Sequence, residues 1–435
     1  MKKHSYIKPW ENGKLRVTEN KRYLTNGDVP FLWLGDTAWL IFMNISEDEA
    51  YMYLKNRADK GFNVIQAVLI YSAGELQDVN KMNTKVLNYR EEAYWQHCDR
   101  IIRMAEELGV YFALLPTWGS LVKKGILNED NVLSYANFLT SRYKDYPNII
   151  WLLGGDIKAD GYEKLYTMMG EALKKQMPDT LIGFHPFGRT TSTDWFANAQ
   201  WLDFNMFQSG HRRYDQYKIG KWDDSKNKDG FFGPDNWKYV KRDYERSYKP
   251  VLDGEPSYEW ILQGLHDTTQ PYWTARDVRR YAYWSVFQGA CGHTYGDNSV
   301  MQFYDGFSEG VTYGARDKWQ DALHHEGSGQ MGFLKKLMES VDFCDGKERC
   351  DLLLSHQGEK YERVSVFAGP RFVMVYTFSA TEYDLDLSEY IGYNMYFFRP
   401  SMGTYSYAGV VNKETKHIAV PKVYNDDTDW VLVVK

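Results

Sequence analysis

Asn148-Ile149-Ile150-Trp151-Leu152-Leu153-Gly154-Gly155-Asp156 is the stretch on which the reading of this chain turns. Its first six residues are almost continuously apolar, as a parallel strand buried on both faces must be. Two glycines follow, which let the backbone turn tightly and approach a ligand. Then comes a carboxylate. Before the run, Val132, Ala136, Leu139 and Tyr143 mark one face of a helix, and Pro147 ends it.

The same alternation of strand and helix extends both ways from this point. Upstream, Phe31–Asp36 reads as strand one, Asn63–Ile70 as strand two and Val110–Leu115 as strand three. Ser46-Glu47-Asp48-Glu49 is an S-x-x-E capping box that opens a helix ending near Gly61. Tyr94, Cys98, Ile101, Ala105 and Leu108 recur at steps of four and three, a second helical face. Downstream, Asp160–Glu163 reads as a helix start, Leu181–Phe184 as strand five, Phe204–Phe207 as six, Pro250–Asp253 as seven and Ala290–His293 as eight. Thr274–Asp277 caps a helix before the eighth. Eight strands with intervening helices over about 270 residues is the scale of a (β/α)8 TIM barrel. A doubly wound open sheet is the rival, but no G-x-G-x-x-G or G-x-x-x-x-G-K-[ST] follows an early strand.

From about residue 345 the helical period stops. Val364–Phe367, Phe372–Tyr376, Met395–Phe398 and Trp430–Val434 are short strand-like runs separated by turns such as Gly369-Pro370. They predict a small antiparallel β-sandwich. The expected organisation is a barrel domain over 1–345, with an N-terminal extension and a bridging helix at about 331–340, then a sandwich over 346–435. No low-complexity linker separates them, so the sandwich should pack on the barrel.

Composition narrows the function. Among 435 residues, 52 Lys and Arg face 58 Asp and Glu, a net charge of −6, which argues against a nucleic-acid partner. No apolar run approaches the roughly 18 residues a membrane span needs. Four cysteines are too few for a disulfide scaffold. Cys344 and Cys350 read as unpaired thiols. His324-His325 reads as a solvent-facing helical pair, and neither H-E-x-x-H nor C-x-x-C is present, so no metal or cofactor is expected. A serine hydrolase would need a G-x-S-x-G elbow, which is missing. The start, MKKHSYIKPWENGK, lacks the apolar core of an export signal. That predicts cytoplasmic action on imported oligosaccharides, or a secreted protein if the native chain starts upstream.

In a barrel enzyme the chemistry lies at the C-terminal ends of the strands. Asp156 stands at the end of strand four and Glu255, between Gly254 and Pro256, at the end of strand seven. Either alone would more often be a helix cap or a structural ion pair. Together across the barrel mouth they suit glycoside hydrolysis, in which one carboxylic acid protonates the leaving oxygen and a second carboxylate attacks the anomeric carbon or activates water. Asp36, His185, Gln208 and His293 would bond ring hydroxyls. Trp39, Trp118, Tyr258 and Tyr295 would form the walls of the sugar subsite. The run Lys221–Lys228 reads as a solvated loop that would also rim the cleft.

Leu34-Gly35-Asp36-Thr37-Ala38-Trp39, Trp151–Asp156 and Asp253-Gly254-Glu255-Pro256-Ser257-Tyr258-Glu259 resemble the apiosidase-like barrels of glycoside hydrolase family 140. The closing Asp429-Trp430-Val431-Leu432 resembles that family's C-terminal sandwich, to which a collagen-binding label is sometimes attached. The resemblance covers most of the chain. It implies release of a terminal pentose, apiose, from pectic oligosaccharides, with Asp156 as acid/base and Glu255 as nucleophile and a retaining outcome favoured. Other readings are an arabinofuranosidase-like enzyme or endo-β-glycanase on the same barrel, or a non-catalytic carbohydrate-binding protein. The oligosaccharide is the one partner expected, and the oligomeric state stays open.

Overall fold

The computed structural model describes residues 6–71, 91–216, 226–308, 312–423 and 428–435. The first five residues of the Lys221–Lys228 run lie outside them. Eight parallel strands make the barrel: Trp33–Thr37, Val64–Val68, Tyr111–Leu115, Ile149–Ile157, Ile182–Pro186, Asn205–Phe207, Val251–Asp253 and Gly292–Tyr295. Neighbours in sequence pair in order except the fifth and sixth, and the eighth strand pairs with the first. Strands four and seven are thus three places apart round the ring. The eighth strand begins two residues later than Ala290, because Gly292 at φ 155° enters the ladder opposite Trp33.

Among the described residues, no ladder joins strands five and six. That seam is closed by Asp203, whose N–H donates to the Ile182 carbonyl (2.8 Å) and whose carboxylate accepts from the Ile182 N–H (2.7 Å). A lone bridge pairs Thr191 with Phe207 further along.

Strand alternation sorts the side chains into two shells. Trp33 faces inward and meets Phe204 at 5.7 Å between ring centroids. Its neighbour Asp36 faces the helices instead. There it accepts from Arg57 Nε (2.5 Å) and Tyr53 Oη (2.7 Å), both on the helix Glu47–Asp59. Both charged side chains are wholly buried. The Ser46–Glu49 capping box fixes where that helix starts, with Ser46 N–H donating to Glu49 Oε2 at 2.9 Å. Asp160 does not cap the helix Glu163–Gln176, whose N-cap is Tyr162.

A three-stranded antiparallel sheet, Leu15–Val17, Leu24–Asn26 and Val29–Phe31, precedes the barrel. Sequence reading overlooked it because each strand is only three residues long. The bridging helix is longer than expected, running Glu326–Met338. His325, just before it, is not solvent-facing: its Nδ1 sits 2.6 Å from the buried Asp297.

The C-terminal domain contains a six-stranded antiparallel sheet, in the order Lys347–Glu348, Val364–Gly369, Phe372–Thr377, Trp430–Val434, Asn394–Arg399, Thr404–Val410. One face packs on the small ladder Glu382–Asp384 and His417–Ala419 through Val366, Val375 and Leu432. The opposite face, with Phe367, Met374, Tyr376 and Val433, packs on the barrel's helices. Burial on both faces is why the strands read as unbroken apolar runs rather than alternating ones. At this junction Tyr376 stacks on Tyr283 (4.7 Å). Arg279 forks onto Asp429 at 2.8 and 3.0 Å, with both side chains buried. Among the described residues, no helix is long and apolar enough to cross a membrane.

Removing Arg57 would strand the Asp36 carboxylate in the protein interior. Arg57→Met is expected to lower unfolding free energy by about 3–5 kcal/mol, measured by urea denaturation.

Candidate active site

Strand four carries Asp156 into the barrel mouth by leaving ordinary strand geometry. Gly154, Gly155 and Asp156 have φ of 96°, 97° and 50°, and the pairing with strand five slips between Gly154 and Ile157. A Cβ on Gly154 would lie 2.3 Å from the His185 carbonyl oxygen, and one on Gly155 would lie 2.9 Å from the Trp118 ring. Both glycines are therefore demanded by space as well as by torsion. The result is a carboxylate held on a strained backbone beside the aromatic wall.

Glu255 is presented from the other side. It lies between two imidazoles, with His211 Nε2 at 3.1 Å from Oε1 and His185 Nε2 at 3.2 Å from Oε2. The far nitrogens set the tautomers. Asp156 N–H donates to His185 Nδ1 (3.3 Å), and Tyr258 N–H donates to His211 Nδ1 (3.4 Å). With Nδ1 accepting, each neutral ring carries its proton on Nε2, aimed at Glu255. The contact with His211 is a hydrogen bond. The one with His185 is off the hydrogen-bond line, so Glu255 Oε2 has no hydrogen-bond partner among the described residues.

The two carboxyl groups are pushed in opposite directions. Burial raises the pKa of Asp156, and the negative charge of Glu255 raises it further, against the weaker pull of His185, Lys123 and Arg189. Burial would raise Glu255 as well, but the contacts with His185 and His211 outweigh it and hold its carboxyl below the ordinary range. One group is set to keep a proton and the other to give it up.

Trp39, Trp118 and His185 meet edge to face or tilted, with centroids 5.2–6.0 Å apart. Tyr71 extends this wall at 5.2 Å from Trp118, and burial together with Asp156 and Glu255 pushes its phenol up to about 12. Gln208 Oε1 is buried with no hydrogen-bond partner among the described residues, beside Arg189, whose backbone N–H donates to the Gln208 carbonyl at 2.6 Å. Tyr258 is completely buried and backs the His211 ring at 4.9 Å, so it supports the site rather than lining it.

Three expected site residues lie elsewhere. Asp36 is locked to Arg57 outside the barrel. His293 and Tyr295 stand opposite Leu34 and Asp36 in the ladder, so both face the helices. Tyr295 Oη donates to Glu259 Oε2 at 2.6 Å. The buried His293 ring has no hydrogen-bond partner among the described residues, and burial lowers its pKa to about 3, which keeps it neutral. Placing the end of the eighth strand at His293 made both residues look like strand-end groups at the mouth, whereas both lie within the strand, on its outward face.

Other residues were missed. His211 carries no recognisable motif, although its position after Gly210 at a strand end matches that of Asp156 after Gly155. Tyr71 directly follows the second strand and was open to the same rule. Gln66, facing inward from the second strand, donates to the Gly254 carbonyl at 2.9 Å and steadies the turn that presents Glu255. Arg189 and Tyr313, whose phenol is pushed up by burial and by the charges of Asp156 and Glu255, come from loops with no local signal.

Comparison with known proteins now bears on this geometry. The model described as "Apiosidase-like, catalytic domain" matches residues 18–345. The chain belongs to this family. Residues 350–435 match the model described as "Putative collagen-binding domain of a collagenase". A solved structure described as a glycoside hydrolase is 40% identical, covering 99% of this chain and 98% of its own, with a TM-score of 0.90. A glycoside hydrolase family 5 structure from Bacteroides vulgatus is 38% identical, covering 98% and 95%, with a TM-score of 0.90. A search of curated proteins finds no match. This apiosidase-like chain is a glycoside hydrolase, and its barrel mouth carries a carboxylate pair suited to that chemistry.

Carbon-13 NMR titration of the labelled carboxyls should place Glu255 below and Asp156 above the ordinary carboxylate range. His211→Ala should bring Glu255 up by about one pH unit, the equivalent of one lost hydrogen bond to a charged group.

Proposed function

We propose that this glycoside hydrolase releases a terminal pentose, apiose, from pectic oligosaccharides by a retaining mechanism. Asp156 serves as acid/base and Glu255 as nucleophile. The observation that carries this assignment is the opposite treatment of the two carboxyls by their surroundings. The match to the apiosidase-like family supports the sugar.

Protonated Asp156 gives its proton to the glycosidic oxygen as the bond to the anomeric carbon breaks. Glu255 Oε2, the oxygen without a hydrogen bond, attacks that carbon and forms a glycosyl ester. Asp156, now ionised, takes a proton from water. The water oxygen displaces Glu255, which leaves as a carboxylate received by the His211 Nε2–H, with His185 Nε2 alongside at 3.2 Å. Trp39 and Trp118 offer apolar faces to the sugar ring, and Gln208 Oε1 accepts from a ring hydroxyl.

Product analysis on an oligosaccharide bearing terminal apiose tests this reading. Wild type should release free apiose, Glu255→Ala should release none, and Asp156→Ala should fall by about 10²–10⁴-fold. Release of larger fragments instead would favour the endo-acting reading, and no release would remove apiose from it. The dependence of kcat/KM on pH should be bell-shaped. Activity is lost as pH falls through the depressed pKa of Glu255 and again as pH rises through the elevated pKa of Asp156.

A further inference from the structure

We infer that the C-terminal sandwich is a working part of the active site: through Tyr361 it positions His211, the imidazole that hydrogen-bonds Glu255. This rests on the reading of Glu255 as the reacting carboxylate.

His211 sits on the loop that follows the sixth strand, and that strand is only three residues long and lies at the seam without a ladder. A loop leaving so short a strand needs support from elsewhere. The barrel supplies part of it: Gly264 N–H donates to the His211 carbonyl at 2.9 Å, and Trp273 Nε1–H reaches the same oxygen at 3.4 Å.

Support also comes from the other domain, on two sides. Three residues beyond His211, the Tyr214 ring meets Tyr361 of the sandwich edge to face, with centroids 5.4 Å apart, and Lys360 Nζ lies 5.4 Å from the same ring. Tyr214 is fixed from its other end by its hydroxyl, which donates to Asp235 at 2.8 Å. The second side runs through buried Arg280. Its guanidinium carbon lies 4.9 Å from the Tyr361 ring and 5.9 Å from Trp273, the indole that bonds the His211 carbonyl. Tyr361 therefore touches one flank of the loop bearing His211 directly and reaches the other through Arg280. It is itself held by Phe378 at 5.8 Å and by Ser379 Oγ, which donates to its carbonyl at 2.7 Å. The ring stands outside the sandwich's inner core, which is built from other residues, Tyr383 and Leu432 among them.

A positioning role has a signature that mere stabilisation lacks. If the loop relaxes, His211 withdraws from Glu255 and the carboxyl becomes easier to protonate. In Tyr361→Ala, kcat should fall about tenfold with KM nearly unchanged, and the acid limb of the pH profile should move upward by about half a pH unit. Tyr361→Phe keeps the ring and should behave as wild type. In a His211→Ala background, Tyr361→Ala should add almost nothing. Tyr383→Ala, which loosens the sandwich away from the bridge, should lower the melting temperature and leave the acid limb in place.

Nitrogen-15 NMR of the histidine rings, with His211 assigned by its absence in His211→Ala, reads the same contact without any substrate. Tyr361→Ala should shift the His211 Nε2 signal and spare that of His185. A folded Tyr361→Ala protein with unmoved His211 signals and an unmoved acid limb would overturn the inference. If wild type turns over no glycoside, the functional reading fails, and the NMR comparison still decides whether Tyr361 positions His211.

Discussion

An ionised carboxylate shielded from water must be given donors, or it will take up a proton. That requirement organises the barrel mouth around Glu255. Two imidazoles approach it from the ends of neighbouring strands, and each is oriented by a backbone N–H on its far nitrogen. One of those N–H groups belongs to Asp156. The strained turn that places the acid therefore also sets the tautomer of a histidine serving its partner. Displacing Asp156 would disturb both carboxyl groups at once.

Much of this was legible in the sequence because it depends on strand ends. The Gly154-Gly155-Asp156 and Gly254-Glu255-Pro256 turns are visible as letters, and a barrel places such turns at one rim. What failed was the sorting of faces at the eighth strand. His293 and Tyr295 were read as strand-end groups without asking which way they point, and both lie within the strand on its outward face. Asp36 is a different case. Its strand was located well, but a carboxylate there is equally compatible with the sugar or with a buried arginine. Only the fold shows that Arg57, a full helix away in sequence, claims it. Arg189 and Tyr313 were invisible for a related reason, since they come from loops whose path is set by tertiary contacts.

The C-terminal sheet teaches the converse lesson. Its strands were found from their apolar runs and the lack of a linker predicted packing on the barrel, while the residues that make the junction were not legible. Those runs are apolar on both faces because the sheet has neighbours on both, and one neighbour is the barrel itself. Arg279 with Asp429 and Tyr283 with Tyr376 make the junction continuous with the barrel's outer shell. The two domains thus form one packed body at this surface rather than beads on a string.

The seam between strands five and six has a consequence of its own. His185 closes the fifth strand and His211 follows the sixth, so the pair stands on opposite banks of the one gap in the ring of ladders among the described residues. Glu255 reaches both. The carboxylate is thereby a clasp as well as a reagent, adding a side-chain link at the rim between two edges that no ladder joins and that only isolated backbone hydrogen bonds cross. Barrel closure at the rim and the charge on a single side chain are, in this protein, parts of the same joint.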